Sequence, residues 1–356
     1  MVSRDVELGR SVAEIAEMVV ADMHMADQTL RGAGLGILPD YAINGGVVLS
    51  AVPHDVLSLV EVRQMVNLSA TRRLWSRLKN VCAMHPDMVS ELWSYKAGRV
   101  PGGLFRRLRV PNPIAVFAEP PTVALALGGH GRLLAVVICG RHRAGGVFCL
   151  TSDERMDELA IIAICEPLAE DGSPLPSLDG DRPTWEYANL SIPAGDSDRF
   201  SAEDLAEWTA RRDGLDAPTD GQREIITRIL QLLVYLCSSK ADITAPVAPR
   251  GKAAKRGRRE RQWKSRDTFL RVGWRLGPAL KAARERAQLA RRSTERAGSG
   301  PSGWRQYPHQ RGGHQKTVWK GPGRTIPDST LVLPYWVSQD LLADGEAPEG
   351  IVRPVR

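Results

Sequence analysis

The spacing of apolar residues divides the chain into helical and strand-like stretches. Val12, Ile15, Ala16, Val19 and Met23 fall on one helical face within residues 11–27, and Ser11 with Glu14 forms a capping-box pattern. A glycine-rich break follows at Gly32, Gly34 and Gly36. Residues 54–97 carry more helical faces through Val56, Leu59, Val60, Val66, Leu74, Leu78, Val81 and Leu92, with a break expected near Pro86. Trp75 and Trp93 read as core side chains within that region.

After a short basic turn (Arg99, Arg106, Arg107, Arg109) the period changes from helical to strand-like. Asn112–Pro121, Thr122–Leu127, Leu133–Cys139, Gly145–Leu150, Leu159–Cys165 and Tyr187–Ile192 are six strand candidates. Leu133–Cys139 is apolar throughout, as a central strand buried on both faces should be. The links are short, which favours antiparallel hairpins, because a parallel crossover needs a dozen or more residues. Gly128-Gly129-His130-Gly131 lacks the Lys-Ser/Thr ending and following helix of a phosphate loop, so it reads as a hairpin turn. Residues 201–212 predict a short helix capped by Ser201. Residues 222–237 predict a stronger one, with Ile225, Ile229, Leu232 and Leu236 in register and a Thr219/Gln222 capping box.

Beyond Pro249 the pattern fails: residues 247–266 have no apolar period and many cations, and are expected to be disordered in isolation. Residues 268–292 look helical, with Phe269, Val272, Leu276, Leu280 and Ala283 on one side and a kink at Gly277-Pro278. Residues 297–303 read as a linker. A β-hairpin is expected around Gly321-Pro322-Gly323, and Thr330–Val337 reads as an edge strand interrupted by Pro334. The expected fold is α+β. Residues 1–110 form a helical N-terminal part and 111–245 a core with a mostly antiparallel sheet. Residues 246–303 form a basic arm and helix, and 304–356 a His/Arg-containing hairpin region.

Charge sharpens this division. Lys and Arg outnumber Asp and Glu by 17 to 4 over residues 250–296 and by 7 to 5 after them, so with a net +7 overall the preceding body carries −8. An acidic body with a basic arm suits a polyanion partner. The 356 residues contain no apolar run long enough to span a membrane, and the N-terminus lacks a signal pattern, so a cytoplasmic location is the default expectation. Cys82, Cys139, Cys149, Cys165 and Cys237 form no CxxC pair and are expected as buried thiols.

Candidate chemistry concentrates in Tyr307–Arg324. Four readings fit these residue types. His309 and His314 supply too few ligands for zinc, so neither metal nor cofactor is expected. The same pair could act as base and acid in metal-independent RNA cleavage, with Arg311, Lys316 or Arg324 stabilising the phosphorane. In a binding-only reading, Arg311, Lys316, Lys320 and Arg324 contact phosphates while Trp319 or Tyr307 stacks on an unpaired base. Arg256, Arg258, Arg259 and Arg261 of the arm add salt-sensitive affinity. The fourth reading is a structural hairpin with solvated charges. The binding reading is preferred.

Four motifs occur in a recognisable order. They are Leu232–Ile243 (LLVYLCSSKADI), Arg271–Leu280 (RVGWRLGPAL), Pro308–His314 with Gly321–Arg324, and Leu331–Val337. Together they resemble a family of phage- and plasmid-borne proteins that includes a type V-A anti-CRISPR protein. The resemblance is specific over roughly residues 225–340. It implies an inhibitor that acts on the effector nuclease's messenger RNA during translation, after recognising the emerging N-terminal peptide. The implied partners are mRNA, a nascent chain on the ribosome, and a host nuclease recruited to the message. His309, Arg311, His314 and Arg324 occupy motif positions. The family pattern has an aromatic after the second histidine, where this chain has Gln315. A directly cleaving ribonuclease and a DNA-binding regulator are the alternatives.

Overall fold

The computed structural model describes residues 4–32, 80–95, 98–125, 128–144, 147–150, 156–176, 185–195, 198–212, 215–244, 269–282, 284–285, 309–311, 314–332 and 335–337. Its centre is a nine-stranded mixed sheet. The helices that pack on it are α1 (Arg4–Gly32), α2 (Pro86–Leu92), α3 (Ala202–Arg212) and α4 (Asp220–Leu236). The strands are β1 (Val81–Met84), β3 (Ile114–Phe117), β4 (Thr122–Ala124), β5 (His130–Ala144), β6 (Val147–Leu150), β7 (Glu158–Leu168), β8 (Glu186–Pro193), β10 (Ile243–Thr244) and β11 (Leu270–Val272). Strands β2 (Val100–Pro101) and β9 (Arg199–Phe200) pair separately. The sheet order is β10-β11-β1-β3-β5-β7-β8, with β4 and β6 pairing with β5 off this path.

The continuous apolar runs are explained by cover on both faces. Val81, Ala83, Ile114, Val116, Val137, Ile162 and Ile164 meet the α1 stripe of Val12, Ile15, Val19 and Met23. Their alternates Cys82, Met84, Ala115, Phe117, Val136, Ile138, Ile161 and Ala163 join α2 and α4 on the other face. Large side chains buried this way contribute roughly 1.5–3 kcal/mol each by leaving water. One irregularity interrupts the alternation. The β5–β7 register shifts between Leu133 and Ala135, so Leu134 and Ala135 both lie on the α1 side. An extra residue in one strand does this, because the side-chain period is two.

All six strand candidates between 112 and 192 form strands, and the Gly128-Gly129 turn joins β4 to β5. Helix α4 carries the expected capping box: the Gln222 amide donates to Thr219 Oγ1 (3.1 Å), and the Thr219 amide donates to Gln222 Oε1 (3.0 Å). Ser201 Oγ accepts from the Asp204 amide at the start of α3 (3.2 Å). Cys82, Cys139, Cys165 and Cys237 are buried thiols, and burial pushes those of Cys82 and Cys165 up to about 12.

Three expectations need correction. Val81 lies in a strand, not on a helical face, and Pro86 begins α2 instead of breaking a helix. Proline suits a first helical turn, where its missing N–H has no partner to lose, and His85 Nδ1 caps the Asp87 amide there (3.3 Å). As expected, the sheet is mostly antiparallel, and only two of its pairs, β1 with β3 and β1 with β11, are parallel among the described residues. The 29-residue connection between β1 and β3 provides the crossover length that the short links lack.

The third correction concerns residues 268–292, where Leu270–Val272 form a strand and the helix begins only at 276. The i, i+3 spacing of Phe269 and Val272 imitates a helix, yet the two residues serve opposite faces of the sheet. Gly273 then turns the chain with φ +77°, and a Cβ there would sit 2.5 Å from Met88. A Cβ at Gly277 would meet His85 Nδ1 at 2.4 Å, so this glycine permits close approach to α2. Pro278 falls in the first turn of its helix and produces no kink. Expectations for residues 33–79, the 247–266 arm and Pro334 lie outside the described residues. Among the described residues, no helix is long and apolar enough to cross a membrane.

Candidate nucleic-acid interface

The C-terminal motif forms the expected hairpin. Strand β13 (His314–Lys320) pairs with β14 (Ile326–Val332), and β12 (His309–Arg311) pairs with β15 (Tyr335–Val337). The two ladders share one register, since His309↔Val337, His314↔Val332 and Lys320↔Ile326 have the same offset. At the tip, Arg324 adopts φ 52°, held by its amide bond to the Gly321 carbonyl (3.1 Å). Left-handed backbone costs a side-chain-bearing residue about 1–2 kcal/mol. The tip is therefore set by its neighbours and not by preference.

The hairpin is bolted to the end of α4. Asp328 is fully buried and accepts from the Ser239 amide (3.1 Å), Ser239 Oγ (2.6 Å) and the Ser329 amide (2.9 Å). The Lys320 ammonium pairs with the same carboxylate. Burial pushes the Asp328 carboxyl up, but the bonds from Lys320 and Ser239 outweigh it and bring the group down to about 2. Ser238 Oγ donates to the Ser329 carbonyl (2.5 Å), Arg107 to the Pro327 carbonyl (2.8 Å), and Gln315 Nε2 to the Gln231 carbonyl (2.9 Å). Gln315 thus ties β13 to α4 through a hydrogen bond.

A second junction lies four residues past Ser238. Buried Asp242 accepts from the Arg275 amide (2.8 Å), Arg275 Nε (2.6 Å) and the Leu276 amide (3.1 Å), so it caps the 276–282 helix. Its own amide donates to the Tyr235 hydroxyl (2.8 Å), and its carbonyl accepts from Gly273 (2.8 Å). The motifs that carried the resemblance are thus one assembly, in which Ser238-Ser239 hold the hairpin and Asp242 holds the Arg271–Leu280 segment.

The described site residues do not all converge. His314 and Lys316 are exposed at alternate positions of β13, and Arg324 is exposed at the tip. Lys320 follows the same alternation but is committed to Asp328 and Ser239 Oγ (3.1 Å). Trp319 has the opposite parity and is 37% exposed, with the Arg199 guanidinium 5.2 Å from its ring centre. The predicted patch is therefore split between two faces of the ribbon. His309 and Arg311 lie in β12, and their side chains are outside the described set. Arg256, Arg258, Arg259 and Arg261 lie outside the described residues. Among the described residues, no group of three His, Cys, Asp or Glu side chains could hold a metal.

Sequence reasoning missed Asp328, Ser239 and Arg199, because each acts through a partner 89 or more positions away. It also gave the basic turn no role. There Arg106, Arg107 and Arg109 bind the carbonyls of Met156, Pro327 and Ala241, which ties the turn to the body.

Comparison with known proteins gives these motifs a family. A crystal structure of AcrVA2 aligns with a TM-score of 0.43 and 13% sequence identity, over 91% of this chain and 97% of that one. No curated protein matches the chain in sequence. The family profile of the AcrVA2-like proteins matches residues 82–339, which include every strand of the central sheet except the first residue of β1, and the whole hairpin assembly. The chain belongs to this AcrVA2-like family, the anti-CRISPR inhibitors of type V subtype A2.

Proposed function

We propose that this inhibitor acts on the message of a CRISPR effector. It binds RNA, or a translating complex of nascent chain and mRNA, through the hairpin and the basic arm, and lowers the transcript in the cytoplasm. The supporting observation is the exposed set His314, Lys316 and Arg324 on a ribbon braced by buried Asp328. Cations held on a rigid support contact phosphates without first losing their own freedom. The arm adds charge that attracts any polyanion. In this reading the protein is an adaptor that leaves the cutting to a host nuclease.

The test is incubation of the full-length protein with labelled single-stranded RNA in EDTA. The expected result is binding that weakens steeply as salt rises, without cleavage. Cleavage abolished by His314→Ala would replace the adaptor with a metal-independent ribonuclease. Preference for duplex DNA would make the protein a DNA-binding regulator. No nucleic-acid affinity at low salt would sink all three readings.

A further inference from the structure

We infer that Arg199 turns Trp319 into a one-sided stacking platform, which makes the interface selective for unpaired nucleotides. This rests on the RNA-binding reading above and adds a residue outside the hairpin.

The indole is fixed from two directions. Its cross-strand neighbour is Pro327, whose carbonyl is held by Arg107 (2.8 Å). The Arg199 guanidinium lies over the ring at 5.2 Å. Arg199 is itself set in place, because its backbone pairs with Pro101 and its carbonyl accepts from Arg99 Nη2 (3.0 Å). Trp319 as a residue still retains 37% of its accessible surface. The covered part of Trp319 anchors it to the body, and the exposed part is held beneath Arg199. It is prepared for a flat partner at low entropic cost.

The chemistry of that partner follows from the surroundings. A cation on one face of the ring leaves the rest of the indole for a second flat group. Exposed Arg99 stands beside Arg199, sharing its charge with Asp204 (3.4 Å), so a negatively charged backbone next to the stacked group meets cations. A nucleotide meets both conditions. In a duplex the base faces are already stacked on each other, whereas a single strand offers them to aromatic side chains. Stacking of this kind strengthens binding roughly five- to 150-fold per base.

Arg199 is a positioning residue for Trp319. The test measures affinity of the full-length protein for three probes: a 12-nucleotide RNA, the same strand with abasic riboses, and its duplex. The intact strand is expected to bind at least fivefold more tightly than the other two. Trp319→Ala should abolish that ratio, Trp319→Phe should retain part of it, Arg199→Met should lower it, and Arg199→Lys should restore it. Lys316→Ala should weaken all three probes alike and leave the ratio intact. If the intact and abasic strands bind equally, or if Arg199→Met leaves the ratio unchanged, the platform is refuted while RNA binding stands. If none of the probes binds at low salt, both readings fall together.

Discussion

Replacing Asp328 with Asn tests whether one buried carboxylate holds the hairpin on α4. The substitution keeps shape and removes charge, so Lys320 loses its counter-ion and the Ser239 bonds weaken. The fall of the carboxyl from 3.8 to about 2 corresponds to about 2–3 kcal/mol. Breaking a fully buried pair costs about 3–5 kcal/mol. Lys320 is half-exposed and can turn to water, so the lower figure is the better expectation. The pH dependence follows from the sign of the shift. The folded carboxyl titrates below its unfolded value, so its stabilisation is complete above about pH 4 and is lost as pH falls from 4 toward 2. Hydrogen exchange of the β13 and β14 amides reads local opening of the hairpin directly. At pH 7 the variant should open with about 2–3 kcal/mol less resistance than the native chain. The difference between the two should shrink toward zero by pH 2. Subtracting one chain from the other removes the other carboxylates that titrate in the same window. A variant within 0.5 kcal/mol of native at pH 7, with an unchanged acid profile, would show that packing alone docks the hairpin.

Further outcomes follow from single contacts. Gly273→Ala should lower stability by more than the roughly 1 kcal/mol of left-handed backbone, because the new Cβ also meets Met88 at 2.5 Å, and thermal melting reads this. Thr219→Ala should cost about 1 kcal/mol in urea unfolding by removing the cap of α4, and Thr219→Ser should recover most of it. Under the RNA-binding reading, Lys316→Ala should reduce the slope of log affinity against log salt by about one, across RNA sequences alike.

The elements that were legible in the sequence are those whose pattern is local. The α4 stripe, its capping box and the six strands between 112 and 192 depend on neighbours two to four positions apart. Misread elements depend on distant partners. Leu270–Val272 is a strand because β1 lies beside it, nearly 190 residues earlier in the chain. Pro86 starts a helix because His85 is fixed there, and its amide donates to the Val272 carbonyl (3.0 Å). The candidate site divides in the same way. Exposure of Lys316 follows from strand alternation, whereas the pairing of Lys320 with Asp328 and the cover of Trp319 by Arg199 follow from tertiary packing. The motif residues Ser239 and Asp242 carried the family resemblance, and no local pattern shows that both are fasteners.

The pairing of β10 with β11 changes what the basic arm is. Ile243↔Val272 and Thr244↔Arg271 are cross-strand neighbours, so the 24 residues from 245 to 268 begin and end at the same point. The arm is therefore anchored at both of its ends on the same rim of the sheet. Its nine Lys and Arg residues cannot reach farther than about 40 Å from that rim, half of the loop's contour at about 3.3 Å per residue. A cut within it leaves both ends held by the sheet. Chain length and the two short strands that anchor it thus bound where the arm's charge can act.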